Sequence, residues 1–145
     1  MAEIARRPKS LSGSWQGVYR YSWGQTVSFL AQLTDSGGVL AGDTVEPKGA
    51  GFAFRTATLA GERRGTRIRF TKVYCQPSLG HRWPVHYSGL LSDDGNTILG
   101  RWLVQGVMGT FGMHRDTAAE EEQALTIEAS RRRTSRPLAP VGNAK

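Results

Sequence analysis

Hydrophobic and polar residues alternate with period two in eight successive stretches of this chain, near 14–22, 26–34, 38–46, 54–61, 66–74, 84–92, 97–104 and 109–115. Strand side chains point alternately to two faces, so the pattern predicts eight β-strands, each with one face buried. Three connections are short and rich in turn residues: TDSGG at 34–38, GERRG at 61–65 and SDDGN at 92–96. Each reads as a hairpin with Gly or Asn ready for positive φ. Two others are longer, VEPKGAGF at 45–52 and CQPSLGHRWP at 75–84, and SWGQ at 22–25 and VQGVMG at 104–109 complete the set. In an up-and-down meander alternate turns share an end, so the tight hairpins should all lie at one end and both long loops at the other. The predicted fold is all-β: an eight-stranded antiparallel up-and-down β-barrel with a C-terminal helix and a disordered tail.

A chain of 145 residues suits one domain with a sizeable core. The expected organisation is a flexible N-terminal arm over 1–12, the barrel over 13–115, a helix over 116–133 and a disordered tail over 134–145. Thr117 and Glu120 form a capping box at the start of that helix, and Arg131 to Arg133 suit its C-terminal end. No run of about 18 apolar residues is present, and the basic start MAEIARRPKSLSG has no apolar stretch behind it. The expected location is therefore the cytoplasm. The single cysteine, Cys75, excludes an intrachain disulfide and every Cys-cluster metal motif, and reads as a reduced, partly buried thiol. The net charge of +7 arises mainly within the barrel, since the last thirty residues balance five acids against five bases.

Side-chain parity separates floor from mouth. Trp15, Leu33, Leu40, Leu59, Ile68, Leu91, Ile98 and Arg115 fall inward at the end of the tight hairpins. Tyr21, Trp23, Glu46, Arg55, Lys72, Tyr74 and Trp102 fall inward at the end of the long loops. An eight-stranded barrel has an interior just wide enough for packed side chains or one small ligand. An aliphatic floor below an aromatic and charged mouth is the pattern of a ligand site, mostly apolar with a few placed polar groups.

GSW at 13–15, eight antiparallel strands with repeated short hairpins, and Arg115 at the close of the last strand resemble the calycin superfamily: lipocalins, fatty-acid-binding proteins and avidins. The resemblance covers residues 13–115. It implies that Trp15 lies on the floor with Arg115 packed across it, and that Gly42 and Gly100 allow sharp bends.

Taken together, these features predict a small-molecule binding protein that holds a partly apolar ligand in the barrel mouth. Tyr21, Trp23, Glu46, Arg55, Lys72, Tyr74 and Trp102 are the expected contacts, with Glu46 and Lys72 fixing polar groups. Arg55 and Lys72 could instead take a carboxylate or phosphate, making the ligand anionic. A barrel filled by its own rings, serving as a protein-interaction module, is the alternative. Glu46, Lys72 and the tyrosines alone are a thin basis for an enzyme, since no nucleophile elbow, phosphate loop or paired carboxylates stand out; no cofactor is expected. His86 and His114 point outward and His81 has no second ligand at metal-binding spacing, so no metal is expected. Arg67 and Arg69, beside Arg63 and Arg64, raise low-specificity nucleic-acid binding, but without outward aromatics for stacking they read as a solvated face. Leu90, Leu99 and Leu103 face outward together and suggest a homodimer surface.

Overall fold

A computed structural model of the protein describes residues 9–49, 53–77, 81–116 and 125–133. Eight strands follow one another in the chain: β1 (Gly13–Tyr21), β2 (Thr26–Ser36), β3 (Val39–Pro47), β4 (Phe54–Arg64), β5 (Arg67–Tyr74), β6 (Val85–Leu91), β7 (Thr97–Val104) and β8 (Val107–Arg115). Each pairs antiparallel with the next, and β8 returns to β1, closing the barrel. Closure leaves no sheet edge to attract another chain. Burial alternates along every strand, and the inward set makes one continuous core from Leu11 and Trp15 to Trp102 and Met113. A helix covers 125–133, with Leu125 and Ile127 exposed. The N-terminal half of the predicted helix and the predicted tail lie outside the described residues. Among the described residues, no helix is long and apolar enough to cross a membrane.

The floor is sealed from below by the segment before β1. Leu11 is fully buried, and Trp15 donates its indole N–H to the Leu11 carbonyl at 2.9 Å. The Arg115 guanidinium lies 4.7 Å from the Trp15 ring and donates to the carbonyls of Gly95 and Ser12, at 3.1 and 3.2 Å, and of Ser10. Asp35 accepts from the Leu11 and Gly38 amides and from Arg63 at 2.9 Å. Burial alone would raise its pKa, but these three donors outweigh it and hold the carboxyl below the usual range. Residues 10–12 of the arm thus lie against the floor, with Leu11 covering Trp15 and the Ser10 and Ser12 carbonyls held by Arg115.

Hairpin placement is corrected. The turns after β2, β4 and β6 lie at the floor as expected, but β7 and β8 are joined by a tight two-residue turn at the mouth. Gln105 and Gly106 have φ of 45° and 76°, which matches the right-handed twist of a hairpin. The mouth is therefore framed by the three other connections, of which the segment from Cys75 to Pro84 is the longest. Cys75 is exposed rather than partly buried.

Candidate functional site

Glu46 on β3 and Lys72 on β5 point into the barrel, and both are almost fully buried. Lys72 pairs in register with Leu59, below the level of Glu46, so its long side chain runs up the interior. Its Nζ reaches Glu46 Oε1 at 3.2 Å. The Tyr74 hydroxyl donates to the same oxygen at 2.8 Å, and the Tyr19 hydroxyl donates to Oε2 at 2.5 Å. One carboxylate thus collects an ammonium and two phenols. The ammonium also lies 4.5 Å from the Tyr19 ring centroid, 4.7 Å from Tyr74, 5.5 Å from Tyr87 and 5.8 Å from Phe29, within cation–π range of all four.

Burial shifts Lys72 and the tyrosines around it against their charged forms. Desolvation lowers Lys72 from the ordinary lysine value, and the Glu46 charge beside it acts the other way. Tyr19 and Tyr74 are raised first by burial, and the neighbouring Glu46 carboxylate adds to the rise. Tyr87 and Tyr21 are also raised, again chiefly by burial. The tyrosines therefore stay neutral donors around a balanced ion pair. Thr44, two residues before Glu46 on the same inward face, has a buried hydroxyl with no hydrogen-bond partner among the described residues.

Above the pair, rings close in. Tyr21 meets Trp102 edge to face at 5.1 Å, and Tyr19 meets Trp102 likewise at 6.2 Å. Trp102 is held by its N–H, which donates to the Thr110 and Arg20 carbonyls at 3.1 and 3.2 Å. Its ring occupies the space a side chain at position 109 would fill, so only Gly109 permits this seat. Tyr74 meets His81 edge to face at 4.9 Å. The remaining hollow at the mouth is small, about 30 Å³, and is bounded by Tyr19, Tyr21, Tyr74, Tyr87 and Trp102, with Val85, Val104, His81 and Trp83 at its rim. That is room for a water-sized occupant.

Of the seven residues expected at the site, Tyr21, Tyr74 and Trp102 line this hollow, and Glu46 and Lys72 lie buried beneath the rings. Trp23 and Arg55 are outside it. Trp23 sits in the turn after β1, 64% exposed, stacked on the outer side of Tyr21 at 4.6 Å. Arg55 lies half-buried at the rim, 5.8 Å from the Tyr74 ring. Tyr19 on β1 and Tyr87 on β6 are buried below the level of the mouth residues and also bound the hollow. His81 and Trp83 come from the long 75–84 connection, where no periodicity marks a direction.

The fold and this interior define a class: a closed eight-stranded antiparallel barrel with a plugged floor and an aromatic mouth. Among solved structures it is similar to a redesigned β-barrel, with a TM-score of 0.64 at 18% identity, covering 79% of this chain and 99% of that one. It is also similar to a redesigned β-barrel bound to DFHBI (TM-score 0.60, 17% identity, 77% and 99% covered) and to a de novo designed fluorescence-activating β-barrel (0.55, 13%, 80% and 100%). At these identities the likeness is one of fold. No family model and no curated protein matches the chain.

Proposed function

We propose that the protein binds one small, flat, partly apolar molecule in its mouth, against Tyr21, Tyr74, Tyr87 and Trp102 and above the Glu46–Lys72 pair. The observation that carries this reading is the pair itself. Replacing a buried ion pair by apolar side chains is often neutral or stabilising, by about 1–4 kcal/mol. A barrel needing only a filled core has no use for a charged cluster under its open end.

Because Glu46 and Lys72 neutralise each other, the interior favours a neutral ring system, and an anionic substituent would be met only at the rim by Arg55. A molecule larger than water displaces Trp83, which is 51% exposed and has little burial to lose. Kinship with calycin barrels is part of this proposal, supported by barrel closure and by Arg115 over Trp15. Cytoplasmic location is part of it too, supported by an exposed free thiol, which persists best in a reducing compartment.

The test is titration with DFHBI as a probe, followed by its own fluorescence, together with native mass spectrometry of protein purified from its source. One saturable site, or one co-purifying small molecule, is expected. Trp102→Phe and Tyr74→Phe should each weaken binding at least fivefold with the fold retained. Absence of any saturable site together with a bare native mass would refute the reading.

A further inference from the structure

The outward positions of five neighbouring strands, β5 to β8 and β1, form a wall with a consistent composition. One register row runs Arg69, Ser88, Arg101, Thr110, Arg20, all exposed except at the backbone. The row toward the floor runs Arg67, Leu90, Leu99, Gly112, Val18, and the row toward the mouth includes Leu103 and Met108 side by side. Leu90, Leu99, Leu103 and Met108 are 60%, 63%, 44% and 57% exposed. Among the described residues, no Asp or Glu occupies an outward position on these five strands. Glu62 stands beside Arg69 but on β4, where Arg64 approaches it at 3.8 Å. The wall thus sets a row bearing three arginines between exposed Leu90 and Leu99 on one side and exposed Leu103 and Met108 on the other.

It also has a hole. Gly112 interrupts the lower apolar row, leaving a hollow of about 400 Å³ between Val18 and Leu99 with Arg20 at its lip. Any side chain at position 112 would begin to fill it, since a Cβ there would already stand 3.1 Å from Leu99. Leucines this exposed, set next to an open hollow, are costly to leave in water and mark a contact surface.

Charge selects the occupant. A two-fold contact between copies uses the same patch on both, so it would set one arginine row against the other, which disfavours the homodimer expected from the leucines. The convex wall meets a flat bilayer only along a narrow line. It offers no outward aromatic for base stacking. We propose that this wall docks an acidic, leucine-bearing segment of another protein in extended form. Its leucines enter the hollow at Gly112 and cover Leu99 and Leu103, and its carboxylates lie on Arg69, Arg101 and Arg20. Neighbouring arginines of the row are two strands apart, about 10 Å. A chain in the extended polyproline-II form has three residues per turn and advances about 3.1 Å per residue, so acids at every third position share one face, match the spacing of the row and can follow its curve.

The probe is a labelled twelve-residue peptide with Glu at every third position and Leu and Ser between, read by fluorescence anisotropy against the full chain. The same peptide with Gln for Glu is the control. The Glu peptide should bind at least tenfold tighter than the Gln peptide. Arg101→Glu should weaken it at least tenfold, and Leu99→Ser about fivefold at both low and physiological salt, with thermal unfolding of both variants unchanged. Equal binding of the two peptides, no binding of either, or indifference to both variants overturns the proposal. So does tighter binding of oligo-dT or of phosphatidylserine vesicles that the same variants abolish, or a dimer in sedimentation that Leu99→Ser dissociates.

Discussion

Consider removing the charges at the base of the mouth one at a time and then together. Lys72→Met leaves the Glu46 carboxylate buried with two phenol donors and no counter-charge. Glu46→Gln leaves the ammonium among four rings with no carboxylate. Breaking a buried pair from one side costs about 3–5 kcal/mol, because the remaining charge is left uncompensated. The double variant Glu46→Gln/Lys72→Met holds no charge, its amide oxygen still accepts from Tyr19 and Tyr74, and Met fills the lysine stem's path. It should lie within about 2 kcal/mol of the parent. The two losses therefore fail to add by at least about 4 kcal/mol, above the roughly 0.5–3 kcal/mol usual for contacting residues because each single variant strands a buried charge. Urea unfolding at pH 7 reads this directly. With a slope of about 2 kcal/mol/M, each single variant loses roughly 2 M in midpoint and the double recovers most of it. A double variant as unstable as the sum of the singles would refute the coupling. Rising pH adds a check. Lys72 titrates below its unfolded value in the parent, and losing Glu46 lowers it further, so above that value the unfolded chain holds more protons. Stability of Glu46→Gln should then climb relative to the parent as pH rises toward about 10.4.

Three further outcomes are expected. All four tyrosines have raised pKa values. An absorbance titration should therefore show far less phenolate between pH 10 and 11 in the folded protein than in the unfolded chain; the stability these phenols contribute is complete below about pH 10 and is lost above it. A normal titration of two or more tyrosines would contradict the buried cluster. Arg115→Leu, which strips three carbonyls of their donor and Trp15 of its cation, should cost about 3 kcal/mol and lower Tm by roughly 10 °C; a shift under 2 °C would mean that Arg115 does not brace the floor. Asp35, held below the usual carboxylate range, contributes stability above about pH 4 that is lost as pH falls through its own lower value. The gap between the parent and Asp35→Asn should therefore close on acidification, and a gap independent of pH would count against that account.

The barrel was legible because period two survives in every strand and because closed sheets bury one full face of each. Orientation was legible too: tight turns after β2, β4 and β6 mark the floor, as Trp15 and Arg115 do. What escaped the sequence was reach. Trp23 shares parity with Tyr21, but the chain turns at Gly24, whose φ is 98°, and parity carries no meaning past a turn. Tyr19 and Tyr87 start deeper than the mouth, and only the length of a tyrosine brings hydroxyl or ring up to it. The hairpin at Gln105 was hidden because a glutamine at positive φ is uncommon and nothing in its side chain announces it. Lys72 was read as a mouth residue from height alone, whereas its backbone sits lower and its side chain climbs to Glu46.

The clasp that Arg115 makes on Ser10 and Ser12 joins residues about a hundred positions apart, and the same separation holds for the Trp15–Arg115 register of β1 and β8. Loop closure of that length must come before the contacts that reward it, so such topologies fold slowly. During synthesis, β1 waits with an unpaired edge until the last strand has left the ribosome. A chain that stops short of β8 would therefore keep an open, adhesive sheet edge on β1 and on β7.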